Sequence, residues 1–190
     1  SMKSCEETTK SGKKWFPISK GGDFKKWYGN QDWVVNWAHD GQEIKHYGEE
    51  DGKIRSRPQN TDSYFAEGIT WSALSSSSTS MRVHNNGFIF SDKGQALFPY
   101  SLNHKYSLLS FLNSSVTSYF LSIISPTLDF HSGYLAKLPV IVDGLKEQDT
   151  RSEVLLSQND WDADESSFDF QQPYFLSGKF SSIELEFSQY

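Results

Sequence analysis

Basic and aromatic side chains alternate with glycines near the start of the chain, in residues 13–30. Lysines neutralise phosphates without reading base sequence, aromatic rings stack on exposed bases, and glycines allow a ligand to approach the backbone closely. The alternative is that the rings are core anchors from which the lysines extend into solvent. The stretch predicts a surface for a polyanion, whose candidate contacts are Lys20, Lys25, Lys26, Trp27 and Tyr28.

A second candidate group follows in the sequence Arg-Ser-Arg-Pro-Gln-Asn at residues 55–60. The forked donors of arginine match guanine O6 and N7, whereas the amides of asparagine and glutamine match adenine N6 and N7. A proline stiffens the segment that presents them. The alternative is a turn whose arginines are simply solvated. The candidate readers of base edges are therefore Arg55, Arg57, Gln59 and Asn60.

Catalytic and metal-binding patterns are weak by comparison. The sequence contains neither a glycine-rich phosphate loop nor a Gly-x-Ser-x-Gly elbow, and its five histidines lack metal-ligand spacing. Paired carboxylates occur in residues 159–169, but such an acidic, polar run is typical of a solvated face. The single cysteine, Cys5, excludes an internal disulfide framework. We therefore expect no catalytic residue and no metal site.

Charge is distributed unevenly around a net value of −6. Residues 1–100 hold 13 Lys and Arg against 12 Asp and Glu, whereas residues 101–190 hold 5 against 12. The net charge alone argues against a non-specific coat protein for nucleic acid, but local potential matters more than the sum. We expect one end to approach a polyanion, and the lone cysteine and the lack of an apolar targeting run favour a cytoplasmic setting without membrane contact.

The order of predicted elements gives the fold class. Strand patterns dominate the first half and helical spacing the second, which predicts an α+β fold with a twisted mixed or antiparallel sheet followed by helices. Aromatic residues make up 15% of the chain, so few, large side chains can build the core. The specific predictions are a hairpin over residues 82–90 with an Asn-Gly turn, helices over 106–112, 116–124 and 145–156, a cap at Ser114 or Ser115, a strand over 138–142, and burial of Phe130, Leu135 and Leu138.

Six motifs occur in fixed order along the chain: KWFPISKGGDFKKWYGN, VVNW, RSRPQNTDSYFAEGITWSALSSS, GFIFSDKGQALFP, LLSFLNSSVTSYFLSIISPTLDFHSGYLAKLPVI and SQNDWDADESSFDF. Together they resemble the C-terminal part of large adenine-specific DNA methyltransferases of the BREX phage-defence type (PglX-like), which related type IIG restriction-modification enzymes share. Residues 108–141 also resemble the TaqI-like C-terminal specificity domain.

The resemblance implies a target recognition domain that binds duplex DNA. In the family, a separate catalytic domain binds S-adenosylmethionine and methylates adenine, and its Asn-Pro-Pro-Tyr motif does not occur here. We therefore expect no cofactor in this chain, and we expect the catalytic domain of the same or an associated chain as partner. The expected parts are a disordered lead-in at 1–12, the recognition domain at 13–142 and a helical, acidic extension at 143–190 that packs on the domain or on missing parts.

Two other kinds of binding module fit parts of the same composition. A carbohydrate-binding domain would also be rich in Trp, Tyr, Asn and Gly, and a protein-interaction piece of a defence complex could dock through its acidic C-terminal stretch. DNA affinity falls steeply with salt whereas sugar binding does not, and reversing the charge of Lys25 and Lys26 would separate DNA binding from docking.

Overall fold

A computed structural model describes residues 10–75, 78–125, 127, 129–140 and 147–173. Strands come first and helices later, so the predicted α+β class is confirmed. The strands are β1 (Trp15–Ser19), β2 (Val34–Asn36), β3 (Gly68–Ser72), β4 (Met81–His84), β5 (Ile89–Phe90) and β6 (Gly94–Leu97). The helices are α1 (Ala38–Lys45), α2 (Lys105–Leu112), α3 (Ser115–Ile124), α4 (Ser132–Leu135) and α5 (Glu147–Asp162).

The strands form two small sheets. In the first sheet, of order β2-β1-β5, β1 runs antiparallel to β2 and parallel to β5. In the second, of order β4-β3-β6, both outer strands run antiparallel to β3. In place of the single mixed or antiparallel sheet that the sequence predicts, the chain therefore has one mixed and one antiparallel sheet in the described residues.

The predicted hairpin over residues 82–90 is wrong, because β4 and β5 belong to different sheets. The tight turn itself forms, with the amide of Phe88 donating to the carbonyl of Asn85. However, Phe65 takes the backbone groups beyond that turn: its amide donates to Phe88 and its carbonyl accepts from Gly87. A hairpin would need those backbone groups to pair with β4. Because Phe65 takes them, β5 pairs with β1 instead.

Two aromatic-rich cores stabilise the two sheets. The larger core packs β3 and β4 against α2, α3 and α5, and it contains Phe130, Leu135 and Leu138, whose predicted burial is confirmed. Trp71 ties this core together by donating from its indole Nε1 to the carbonyl of Phe130 at 2.7 Å. The smaller core packs against the first sheet and contains Phe16, Trp37, Tyr64, Phe65 and Ile89.

The helices agree with the predicted spacing. The hydroxyl of Ser114 accepts from the amide of Thr117 at 3.2 Å, which confirms the predicted cap of α3. The helix predicted over 145–156 corresponds to α5, which continues to Asp162. Residues 145 and 146 of the predicted helix lie outside the described ranges. Of the strand predicted over 138–142, residues 138–140 have no regular secondary structure. Residues 141 and 142 lie outside the described ranges.

The α5 helix packs on α2. Val154 enters the larger core, the Ser107 hydroxyl donates to Glu147 at 3.1 Å, and the Arg151 guanidinium lies 4.0 Å from the centre of the Tyr106 ring. Within the described residues no single helix is long and apolar enough to cross a membrane, although Leu102–Leu112 and Ser115–Ile124, bent by 71°, pass that test as a pair. The predicted lead-in is described only from residue 10, and the predicted extension only over 147–173.

Candidate functional site

An open groove of about 540 Å³ lies over the first sheet. Ile18, Val35 and Phe90 contribute apolar side chains to its floor. Residues 56–60 form one wall, and Asp92 and Gln95 stand on the other. The groove has the size of a small-ligand cleft, but its open, half-polar form suits the edge of a larger molecule.

The wall formed by residues 56–60, the 56–60 segment, has no regular secondary structure but is fixed at both ends. Before it, the amide of Arg55 donates to the carbonyl of Tyr47 at 2.8 Å. After it, Asn60 adopts a left-handed conformation with φ 55° and accepts from the amide of Ser63 at 3.0 Å. The chain then enters the smaller core at Tyr64, so the core holds the segment in place.

Three of the four predicted base readers belong to this wall. Arg57, Gln59 and Asn60 line the groove, and their side chains are exposed. In the described part of the chain, none of the three side chains makes a hydrogen bond or an ion pair with another residue. They therefore present unused donors and acceptors from a positioned backbone, which is what direct contact to base edges requires.

The fourth predicted reader, Arg55, lies outside the groove lining and pairs with an acidic residue. Its guanidinium pairs with the carboxylate of Asp51 at 2.6 Å, and both side chains are more than half exposed. An ion pair of this kind is worth less than about 1 kcal/mol, so a phosphate can compete for the guanidinium. Arg55 lies beside the groove wall, but it does not line the groove.

The lysines predicted to contact DNA have different partners. The Lys20 ammonium lies 4.0 Å from the centre of the Trp33 ring, at the surface. Lys25 is also exposed, with its ammonium 5.9 Å from the Trp161 ring. Lys26 is half-buried and donates to the backbone carbonyl of Asn113 at 3.1 Å. The three ammonium groups thus have three different partners.

Carboxylates surround Lys25. Burial, and next the charges of Asp164 and Asp23, raise the pKa of Asp32, while Lys25 opposes that rise. Hydrogen bonds from Ser166 lower the pKa of Asp164, and Lys25 adds a smaller effect in the same direction. The charge of Lys25 is therefore partly balanced within the chain, which weakens its pull on a phosphate.

Trp27 is part of the scaffold, as the core-anchor alternative predicts, whereas Trp15, another ring of that alternative, is 59% exposed. Tyr28 belongs to the scaffold as well. Trp27 packs against the larger core, and its backbone pairs with β4 through bonds to Met81 and Val83, both 2.9 Å. Tyr28 is 3% exposed, and its hydroxyl donates to Gln31 and accepts from Asn85. Burial raises the pKa of this phenol. Neither ring is free to stack on a base in this conformation.

Sequence reasoning missed the residue that holds the basic loop in place. Arg82 on β4 is 1% exposed, and its guanidinium donates to the carbonyl of Lys25 at 3.2 Å, to Ser80 and to the hydroxyl of Ser72. Burial lowers its pKa to about 10, so it is still charged at neutral pH. Nothing in the sequence singles it out, because an arginine in a strand is usually on the surface.

A second missed residue, His84, lies two positions along the same strand. Its Nδ1 is 3.0 Å from the hydroxyl of Ser19, and the rings of Phe88, Phe90 and Phe98 surround it. Burial lowers the pKa of His84 to about 4, so it is neutral at physiological pH. This histidine joins β1 to β4 and therefore connects the two sheets.

No group of three or more His, Cys, Asp or Glu side chains in the described ranges is arranged to hold a metal ion. The groove lining carries an arginine, amides, serine hydroxyls and the carboxylate of Asp92, which are donors and acceptors for hydrogen bonding.

Two curated relatives match the chain over most of its length. It is 34% identical over 181 residues to the adenine-specific methyltransferase BrxX of Escherichia coli O9:H4 (strain HS), a match that covers 94% of this chain. It is 40% identical over 161 residues, or 83% of this chain, to the adenine-specific methyltransferase PglX of Lacticaseibacillus casei (strain Zhang). No established family model matches the chain.

The matches cover only a small part of each relative. The chain spans 14% of the length of BrxX and 13% of the length of PglX. It is therefore homologous to one segment of adenine-specific methyltransferases, and most of each relative lies outside the matched region.

Proposed function

We propose that this chain is the DNA-recognition part of an adenine-specific DNA methyltransferase of the BREX phage-defence type. It grips duplex DNA and reads base edges, while a catalytic domain outside this chain binds S-adenosylmethionine and transfers the methyl group. The similarity to BrxX and PglX supports the enzyme class, and the groove supports the role within it.

The observation that carries the proposal is the state of the 56–60 segment. Arg57, Gln59 and Asn60 have the side chains that pair with guanine and adenine edges, and they stand unpaired along a groove whose backbone is fixed. Residues that read base edges bind best from a backbone that is already in position, because ordering a mobile segment on binding costs entropy.

The other predicted contacts take different parts in the proposal. Lys20 and Arg55 are exposed cations that contact the phosphate backbone, and Lys25 contributes more weakly because it also interacts with the carboxylate of Asp32. Lys26, Trp27 and Tyr28 hold the basic loop on the core, so they affect DNA binding through the scaffold.

The division of labour follows from what the segment must do. An enzyme that methylates adenine must extrude the base from the stack, so the chain that reads the site must hold the duplex while another pocket takes the base. The catalytic domain, in the same or an associated chain, is therefore the proposed protein partner.

Fluorescence anisotropy with a labelled random-sequence duplex tests the proposal. We expect the chain to bind with an affinity that falls steeply as salt rises, because lysines and arginines displace counterions from the phosphates. On a duplex that carries the motif which the native chain selects from a random library, Arg57→Ala should weaken binding by about tenfold, in keeping with one good bidentate contact. The matched control Lys137→Gln removes an exposed cation from the helical half of the chain and should leave the affinity unchanged.

Two results would overturn the proposal. The first is the absence of duplex binding at low salt, and the second is binding that neither salt nor Arg57→Ala alters. Salt-independent binding to an oligosaccharide instead would favour a carbohydrate-binding module.

A further inference from the structure

One face of the first sheet continues past the groove floor to an exposed tryptophan. In the antiparallel pair β1 and β2, Phe16 lies opposite Val35, and the amide of Ile18 donates to the carbonyl of Trp33 at 2.9 Å. Side chains that are directly opposite share a face of the sheet. Phe16, Ile18, Val35 and Trp33 are thus one row, and Trp33 is its last member, about 7 Å beyond Val35.

The position of this row relates Trp33 to the groove. Ile18 and Val35 contribute to the groove floor, and Phe16, at the other end of the row, packs in the smaller core. Trp33 comes next along the same face, and half of its surface is exposed at 50%. The ring is not itself part of the groove lining, but it follows Val35, a floor residue, on the same face of the sheet.

Lys20 occupies the exposed surface of that ring. Its ammonium lies 4.0 Å from the ring centre, the shortest distance of a lysine ammonium from a tryptophan ring in the described residues. A lysine on a tryptophan face gains electrostatic attraction and loses much of its rotational freedom. The ring thereby holds one positive charge at a fixed place beside the groove.

We propose that Lys20 contacts one DNA phosphate at the open end of the groove and that Trp33 is the residue that positions it. This inference rests on the proposed DNA-recognition function and adds the residue that fixes the duplex relative to Arg57. A phosphate contact of this kind sets the register of the readers without carrying sequence information.

The same strand pair supplies a matched control on its other face. Trp15 lies opposite Asn36, one position out of step with the row, and is 59% exposed. The Lys14 ammonium lies 5.5 Å from its ring. This second lysine–tryptophan pair has the same residue types and a similar exposure, but Trp15 faces away from the groove.

The test measures duplex affinity against salt concentration for Lys20→Gln, Trp33→Leu and the double variant. Lys20→Gln should lower the slope of log affinity against log salt by about 0.9, the value for one phosphate. The ratio of the duplex affinity of the native chain to that of Lys20→Gln should then fall about threefold between about 50 and about 200 mM salt. Lys14→Gln and Trp15→Leu should leave both affinity and slope unchanged.

The double variant separates positioning from stacking. If Trp33 acts through Lys20, Trp33→Leu weakens binding in the native chain by several-fold and has no effect once Lys20 is glutamine. Trp33→Phe keeps a ring under the ammonium and should restore most of the lost affinity. Thermal unfolding of each variant verifies that this half-exposed site leaves the fold intact.

Three results would overturn this inference: an unchanged salt slope in Lys20→Gln, an equal loss in the Trp15 pair, or a Trp33→Leu effect that persists in the double variant. The last would mean that the ring itself stacks on a base. Failure of the proposed function looks different, because it removes the effect of Arg57→Ala or all duplex binding.

Discussion

The guanidinium of Arg82 donates a hydrogen bond of 3.2 Å to the backbone carbonyl of Lys25, 57 residues earlier in the chain. Through this bond a buried cation in the second sheet holds the basic loop, and its bonds to Ser72 and Ser80 fix the arginine in turn. The loop that carries the predicted lysines is therefore shaped by the core beneath it.

Replacing this arginine should cost much of the stability of the fold. Arg82→Ala leaves the acceptors of Lys25, Ser72 and Ser80 without their donor and opens a cavity, so we expect the free energy of unfolding to fall by about 3 kcal/mol. Urea unfolding followed by tryptophan fluorescence measures this loss. The exposed Arg57→Ala should change stability by less than about 0.5 kcal/mol, and equal stabilities for the two variants would contradict the role assigned to Arg82.

Acid should weaken the fold through His84. Its pKa is about 4 in the folded chain and about 6.5 when unfolded, so the unfolded state binds the proton more tightly. Above about pH 6.5 His84 is neutral in both states and does not lower the free energy of unfolding. As the pH drops from there towards 4, protonation of the unfolded state lowers the free energy of unfolding by up to about 3 kcal/mol.

A series of urea midpoints between pH 7 and pH 4 checks this pH dependence. His84→Gln can still bond to Ser19 but cannot take up a proton, so its stability should fall less over the same interval. If the two chains lost stability in parallel, His84 would not be the titrating group.

The lysines of the basic loop should separate into scaffold and contact residues. The ammonium of Lys26 is bonded to Asn113, so Lys26→Gln should lower the free energy of unfolding by about 1 kcal/mol and leave the salt slope of DNA binding unaltered. Lys20→Gln should behave in the opposite way, with unchanged stability and a smaller slope. A slope that drops in Lys26→Gln and not in Lys20→Gln would reverse these assignments.

Local sequence signals predicted the helices of the second half and the cap at Ser114 well, but not Asp40 as a cap, because the first helix begins at Ala38 without a side-chain cap. The cap at Ser114 and the burial of Phe130 and Leu135 depend on spacing within a few residues. The division into two sheets was not predictable in this way, because Phe65 decides where β5 pairs and lies 23 positions before Phe88, its backbone partner.

The candidate site was predictable by residue type rather than by position. Arg57, Gln59 and Asn60 came from their hydrogen-bonding chemistry alone, and the structure places all three on one groove. Lys26 and Tyr28 came from the same kind of reasoning, yet their partners Asn113 and Asn85 are 87 and 57 residues away. Such distant partners decide whether a polar side chain is available to a ligand.

Selection from a randomised duplex library tests the central claim most directly. The chain is mixed with duplexes that carry a random core, the bound fraction is sequenced over several rounds, and the same is done with the triple variant Arg57→Ala, Gln59→Ala and Asn60→Ala. The account predicts that the native chain enriches a short motif and that the triple variant binds duplex DNA without enriching it. Enrichment of the same motif by both chains, or of none by the native chain, would contradict it.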